Sequence, residues 1–167
     1  TVWCAISANG VIGPYFFEDD NGRAVTVTAT RYVKMIRDCL IPQLQRFPVY
    51  ENTYFQQDGA TSHTANMSMN VLRGLFPNRL ISRCGDILWP ARSPDLSSCD
   101  YFLWGHLKQK VYETRPATTE DLKVRIREEI AALTPALLRS FSDNFSARLK
   151  ICIENDGRHL AEVIFKK

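Results

Sequence analysis

The chain lacks most of the compositional extremes that define a protein class at once. It has no low-complexity tract and only 8 Gly and 8 Pro in 167 residues, which excludes collagen and intrinsic disorder. Its apolar clusters are too short and too interrupted to span a bilayer, so we expect an intracellular soluble protein without a membrane partner. The small excess of 21 Lys and Arg over 18 Asp and Glu indicates no particular partner.

Cysteine is also too scarce and too scattered to define the fold. The five cysteines form no C-x-x-C pair, which argues against a disulfide framework and a zinc knuckle, so we expect reduced thiols. A chain of this size buries roughly 70% of its unfolded surface on folding, so it needs no metal for stability. Any metal bound here would therefore serve chemistry.

Turn signals and hydrophobic periodicity predict a mixed α/β fold for the first half. The Asn-Gly pairs at residues 9–10 and 21–22 are typical of tight hairpins and predict an antiparallel meander. The predicted elements are strands at 1–6, 11–17 and 24–28, a helix at 30–45 capped by Thr30, a strand at 49–57 and a helix at 62–76.

The second half is predicted to be mainly helical. A short strand at 79–82 precedes an irregular stretch at 83–94, which contains Gly85, Pro90 and Pro94 as breakers. Three helical patterns follow, at about 98–112, 122–133 and 138–152. No linker interrupts the chain, so residues 1–167 are expected to form a single domain in which helices cover a mixed sheet.

Asp58 is the first candidate for chemistry. It closes a predicted strand and precedes a predicted helix, which places its carboxylate at an edge of the sheet where α/β domains commonly hold their sites. The alternative is an Asp-Gly hairpin turn, which requires a strand after Gly59. The segment from Ala60 to Ala65 instead resembles the entry to a helix.

Asp100 is the second candidate, and its own alternative is strong. Ser97-x-x-Asp100 matches a capping box, in which the acid bonds back to the start of its helix. Asp86 and Asp95 are more typical of turn or cap acids. His63 lies five residues after Asp58 and could reach the same edge. Hard oxygen ligands such as Asp58 and Asp100 suit Mg²⁺ or Mn²⁺ better than Zn²⁺.

Two segments resemble the mariner-type transposases of the DDE/DDD superfamily, whose catalytic domain is ribonuclease H-like. They are YFQQDGATSHT at residues 54–64 and WPARSPDLSSCDYFLW at 89–104. Shorter matches at 2–7, 10–14, 147–149 and 153–157 extend the likeness over nearly the whole chain. The resemblance implies a ribonuclease H-like α/β fold with a mixed sheet flanked by helices.

The resemblance also implies roles for individual residues. Asp58 would be the second acid of a catalytic triad and Asp100 the third, both binding Mg²⁺ or Mn²⁺, with Asp95 as a rival for the third place. His63 and Arg92 would support the substrate, and Arg83 and Lys108 are candidates for phosphate contacts. The family's first catalytic Asp lies on a strand before Val2, so we expect this chain to lack that strand and the helix-turn-helix domains.

The implied activity is cleavage and strand transfer of transposon DNA by metal-dependent phosphoryl transfer in the nucleus. Its partners would be transposon-end and target DNA, with a possible homodimer. The absent first acid predicts that this chain alone is inactive or very weak. The alternative is a non-catalytic remnant that binds DNA or protein, and a general ribonuclease H-like nuclease is a third hypothesis.

Overall fold

The computed structural model describes residues 1–47, 50–90, 93–158 and 160. These residues form two compact units. The first comprises Thr1–Ala5 and Ile12–Ser93, and the second comprises Ile6–Val11 and Pro94–Lys167. The mixed α/β fold is confirmed, since two small sheets and several helices make up the described part of the chain.

The chain opens with an antiparallel hairpin of β1 (Val2–Ser7) and β2 (Gly10–Phe16). Gly13 has a φ of 108°, and a Cβ built there would lie 2.9 Å from the Trp3 carbonyl oxygen, so this close approach requires glycine.

The predicted third strand at 24–28 is wrong. Only an isolated antiparallel bridge joins Glu18 to Ala24, followed by a hydrogen bond from the Val25 N–H to the Phe17 carbonyl at 3.0 Å. The next recorded contact points toward α1, since the Thr26 carbonyl accepts from the Arg31 guanidinium at 2.8 Å.

The second sheet is parallel and contains β3 (Phe55–Gln56), β4 (Leu80–Ser82) and β5 (Ile87–Leu88) in that order. The strand predicted at 79–82 is confirmed. The strand predicted at 49–57 is shorter than expected: Tyr50–Asn52 form a 3₁₀ turn, and Val49 lies outside the described residues. β5 lies within the stretch predicted to be irregular, and the sequence did not indicate it.

The first long helix runs through α1 (Ala29–Met35), a π-helical turn (Ile36–Leu40) and α2 (Ile41–Leu44). Thr28 caps it instead of Thr30, because the Thr28 hydroxyl accepts from the Arg31 N–H at 3.3 Å.

The helix predicted at 62–76 is divided into α3 (Thr61–Thr64) and α4 (Asn66–Leu75). Ala65 separates the two parts with an extended backbone, at φ −60° and ψ 140°. The break leaves α3 as a single turn directly after Asp58.

The second unit contains a π-helical turn (Cys99–Leu103) followed by α5 (Trp104–Tyr112), α6 (Thr119–Ala131) and α7 (Pro135–Glu154). The predicted helices are therefore confirmed with small changes in their bounds. None of the helices in the described ranges is both long and apolar enough to cross a membrane.

One hydrophobic core supports the first unit. It combines residues from β2, α1, the π-helical turn, α2, α4 and the residue after it, and the β3–β4 pair, including Ile12, Tyr32, Ile36, Leu40, Leu44, Phe55, Met69, Leu72, Phe76 and Leu80. Burial of these side chains is the main driving force for the fold. The same core holds the end of β3, close to Asp58, against α1 and α4.

Candidate metal centre

Asp58 lies at the carboxyl end of β3, in a turn that its own side chain stabilises. Asp58 Oδ1 accepts from the Ala60 N–H at 3.0 Å, and α3 begins at Thr61. The hairpin alternative for Asp58-Gly59 is therefore wrong, because a helix and not a strand follows the turn. The turn directs the carboxylate outward, and 51% of the side chain is exposed.

His63 is brought directly to this carboxylate by the single turn of α3. His63 Nδ1 lies 2.5 Å from Asp58 Oδ1. This hydrogen bond is the largest of the effects that together lower the pKa of Asp58, and partial burial opposes it. An ionised carboxylate only accepts hydrogen bonds, so Nδ1 carries the proton in this pair.

The other oxygen of Asp58 is available for a ligand. Asp58 Oδ1 accepts from both Ala60 and His63, whereas no described residue donates to Oδ2. A charged, partly exposed carboxylate oxygen is the kind of donor that Mg²⁺ and Mn²⁺ prefer. The site at Asp58 thus fits one ligand of a divalent cation.

A buried amide anchors this edge of the sheet from within the core. Gln57 is only 6% exposed, and its Nε2 donates to the His63 carbonyl and to Ser82 Oγ, both at 3.1 Å. Its Oε1 accepts from the Tyr32 hydroxyl at 2.9 Å. Four parts of the first unit therefore meet at one side chain directly before Asp58.

Asp100 lies in the second unit, in the first turn of the π-helical segment, and is exposed. Its backbone N–H donates to the Ser97 carbonyl at 2.8 Å. Arg148 of α7 supports this segment: Arg148 Nη1 donates to the Asp95 carbonyl at 3.0 Å, and the guanidinium carbon lies 4.2 Å from the centre of the Tyr101 ring.

The remaining candidates are distributed as follows. Arg92 lies outside the described residues. A Cβ built on Gly59 would lie 3.7 Å from Arg83 Cδ, so the Arg83 stem passes beside the Asp58 turn. Lys108 is exposed on α5, and Asp86 has the expected turn role, because its carboxylate accepts from the Leu80 N–H at 3.2 Å.

Within the ranges that the structure describes, no three His, Cys, Asp or Glu side chains are grouped closely enough to hold a metal. Asp58 and Asp100 therefore remain predicted ligands, each on its own unit. Sequence reasoning missed the supporting residues Tyr32, Gln57 and Arg148. The sequence offered no signal for them, because their contacts join residues far apart in the chain.

Comparison with known proteins identifies the fold. No family model and no curated protein matches the chain. A structure of the Mos1 transposase catalytic domain with raltegravir and Mg shares 24% identity at a TM-score of 0.76, covering 95% of this chain and 75% of the other. A second catalytic-domain structure, with raltegravir and Mn, has a TM-score of 0.75, and the match covers 82% of that chain.

Structures of longer Mos1 chains agree. The Mos1 mariner paired-end complex with Mn shares 28% identity with this chain at a TM-score of 0.74. The match covers 95% of this chain and 44% of the Mos1 chain, so the chain spans less than half of that longer protein. The resemblance to the catalytic domain of the mariner transposases is confirmed.

Proposed function

We propose that this chain, which has the fold of a mariner transposase catalytic domain, is the catalytic core of a DNA transposase that cleaves and joins transposon DNA by phosphoryl transfer. The observation that carries this proposal is the ionised, half-exposed Asp58 carboxylate at the end of β3, within a fold shared with the Mos1 catalytic domain. Mos1 transposase itself has been captured in a paired-end complex with the left transposon end, which supports DNA as the substrate.

The proposed cofactor is Mg²⁺ or Mn²⁺, held by Asp58 and Asp100. When bound, such ions activate the attacking hydroxyl and stabilise the leaving oxygen of the phosphodiester. Structures of Mos1 with Mg and with Mn support this choice of cation. Both candidate ligands are carboxylates on the exposed surface, and each stands where its backbone segment is held by hydrogen bonds.

The chain's own residues supply position and charge. Asp58 Oδ2 is left as an anionic oxygen for a cation, while His63 Nδ1 holds Oδ1 in place and the other ring nitrogen, Nε2, is left for water or substrate. Arg83 and Arg92 are proposed to contact phosphate groups, because their guanidinium groups suit phosphate geometry. The proposed partners are transposon-end and target DNA and a second copy of the chain, in the nucleus.

The 167-residue chain alone is expected to be inactive or very weak. Paired divalent ions need more negative charge than two carboxylates provide, and the described residues contain no group of three ligands. The second candidate function is a non-catalytic module that binds DNA or protein, and the complex of Mos1 transposase with the left transposon end supports DNA as its partner.

Titration calorimetry with Mn²⁺ tests the proposed site. Asp58→Asn and Asp100→Asn should each weaken Mn²⁺ binding by at least about tenfold, the scale on which even outer-shell substitutions act. Asp143→Asn removes the same charge from an exposed position on α7 and should leave the affinity unchanged.

Wild-type affinity in both site variants would contradict the metal role. If the chain then still bound double-stranded DNA, the non-catalytic module would be the correct function.

A further inference from the structure

Tyr32 of α1 is completely buried, and its hydroxyl is hydrogen-bonded to the residue that follows β3. It donates to Gln57 Oε1 at 2.9 Å, directly after β3. A buried phenol of this kind is costly unless its hydrogen bonds are made. Tyr32 is therefore held by the Gln57 amide and by the core side chains around its ring.

The same side chain controls His63 in two ways. The rings of Tyr32 and His63 have centroids 4.3 Å apart with planes inclined by 33°, so the phenol covers one face of the imidazole. Through Gln57, which donates to the His63 carbonyl at 3.1 Å, Tyr32 also supports the backbone of α3. The plane of the imidazole and the position of its main chain thus depend on one buried residue.

The orientation of His63 in turn decides the orientation of Asp58. Because Oδ1 is held between the Ala60 N–H and His63 Nδ1, the direction of Oδ2 is determined by these two donors. A histidine on a single helical turn would otherwise sample several rotamers, and only those that present Nδ1 to the carboxylate keep this geometry.

We propose that Tyr32 is a positioning residue for the Asp58 carboxylate and acts through the His63 imidazole. The proposal rests on the metal role of Asp58, because its purpose is to direct Oδ2 toward a cation. It also makes a claim that needs no metal: the phenol ring holds His63 with Nδ1 toward Asp58. A residue that only filled the core would stabilise the fold without setting the orientation of His63.

A double-mutant cycle on Mn²⁺ affinity separates positioning from core filling. His63→Gln should weaken binding by about tenfold or more, as expected for a partner that orients a metal ligand. Tyr32→Leu should weaken it by up to the same factor but should add nothing in the His63→Gln background. Tyr32→Phe keeps the ring and should retain most of the affinity.

Leu44→Ala is the control, because it removes buried volume from the same core at the end of α2. It should lower stability and leave Mn²⁺ affinity unchanged. If Tyr32→Leu does not fold, Tyr32→Met preserves more volume and enters the same cycle. Additive losses in the double variant would overturn the proposal.

A spectroscopic measurement without metal makes the test independent of the proposed function. The ¹⁵N shifts of the His63 ring should show a protonated Nδ1 in the wild type and in Tyr32→Phe, and a mixture of forms in Tyr32→Leu. An unchanged His63 spectrum in Tyr32→Leu would overturn the positioning role. If Asp58→Asn left Mn²⁺ binding unchanged, the metal role would fail, and this spectrum would still decide the role of Tyr32.

Discussion

Substitution of the buried Gln57 gives a specific prediction, because the oxygen and the nitrogen of its side-chain amide face different kinds of partner. Its Oε1 accepts from the Tyr32 hydroxyl, and its Nε2 donates to the His63 carbonyl, which can accept a hydrogen bond but cannot donate one. In the nearly isosteric variant Gln57→Glu, an oxygen would face that carbonyl. The hydrogen bond would survive only if the new carboxyl kept its proton.

The structure sets the size and the pH dependence of this effect. At a site that is 6% exposed, beside a carbonyl and the Asp58 carboxylate, burial and like charge should raise the pKa of the introduced acid well above that of an exposed Glu. Leaving a buried polar group without its hydrogen bond costs about 1 to 3 kcal/mol, and more for a charged group, so the variant should lose on the order of 3 kcal/mol of unfolding free energy at pH 7. Below about pH 4.3, the unfolded pKa of Glu, the introduced carboxyl is protonated in both the folded and the unfolded state, and the stability of the variant is retained. As pH rises from there through the raised folded pKa, the carboxyl ionises more easily in the unfolded state and the stability is lost.

Urea unfolding followed by tryptophan fluorescence at pH 4.5 and pH 7.5 would measure the difference. The gap between wild type and Gln57→Glu should be small at the lower pH and large at the higher one. Gln109→Glu, on the exposed surface of α5, should change stability by about 0.5 kcal/mol or less at both. An equal loss at both pH values would refute the reasoning and would indicate that the Gln57 amide is oriented the other way.

Two further predictions concern Tyr32 and Arg148. Burial, with a contribution from Asp58, raises the pKa of Tyr32, so the unfolded chain releases the phenol proton more easily than the folded one. Stability should therefore fall as pH rises above about 10, and urea unfolding at alkaline pH should show a shallower fall for Tyr32→Phe; identical slopes would contradict the burial argument. Arg148→Met removes the donor to the Asp95 carbonyl and the cation over Tyr101, and should cost about 2 kcal/mol in chemical unfolding. Arg139→Met, at an exposed position of the same helix, is the matched control, and an equal effect of both substitutions would show that the contacts of Arg148 contribute nothing.

Much of the candidate site could be read from the sequence, because its signals are local. An acid that follows a β-prone segment and precedes a helix entry indicated the position of Asp58, and the five-residue spacing brought His63 within reach of it. In the structure, Asp58 follows the end of β3, and His63 lies on the single turn of α3. The strand predicted at 24–28 was wrong, because β-propensity is a local signal and does not decide which segments pair: pairing with the hairpin stops after Ala24 and Val25.

The sequence by itself determined the opening hairpin, most of the helices and the two acids placed where such elements end, since propensity, turn chemistry and periodicity act over a few residues. Only the tertiary structure decided that Tyr32 lies beneath His63 and that Gln57 joins them. Tyr32 and Gln57 come from segments 25 residues apart, and their contact depends on how α1 packs against β3. Hydrogen bonds and ring contacts over such separations leave no periodic pattern, because they form only after the core has brought distant elements together.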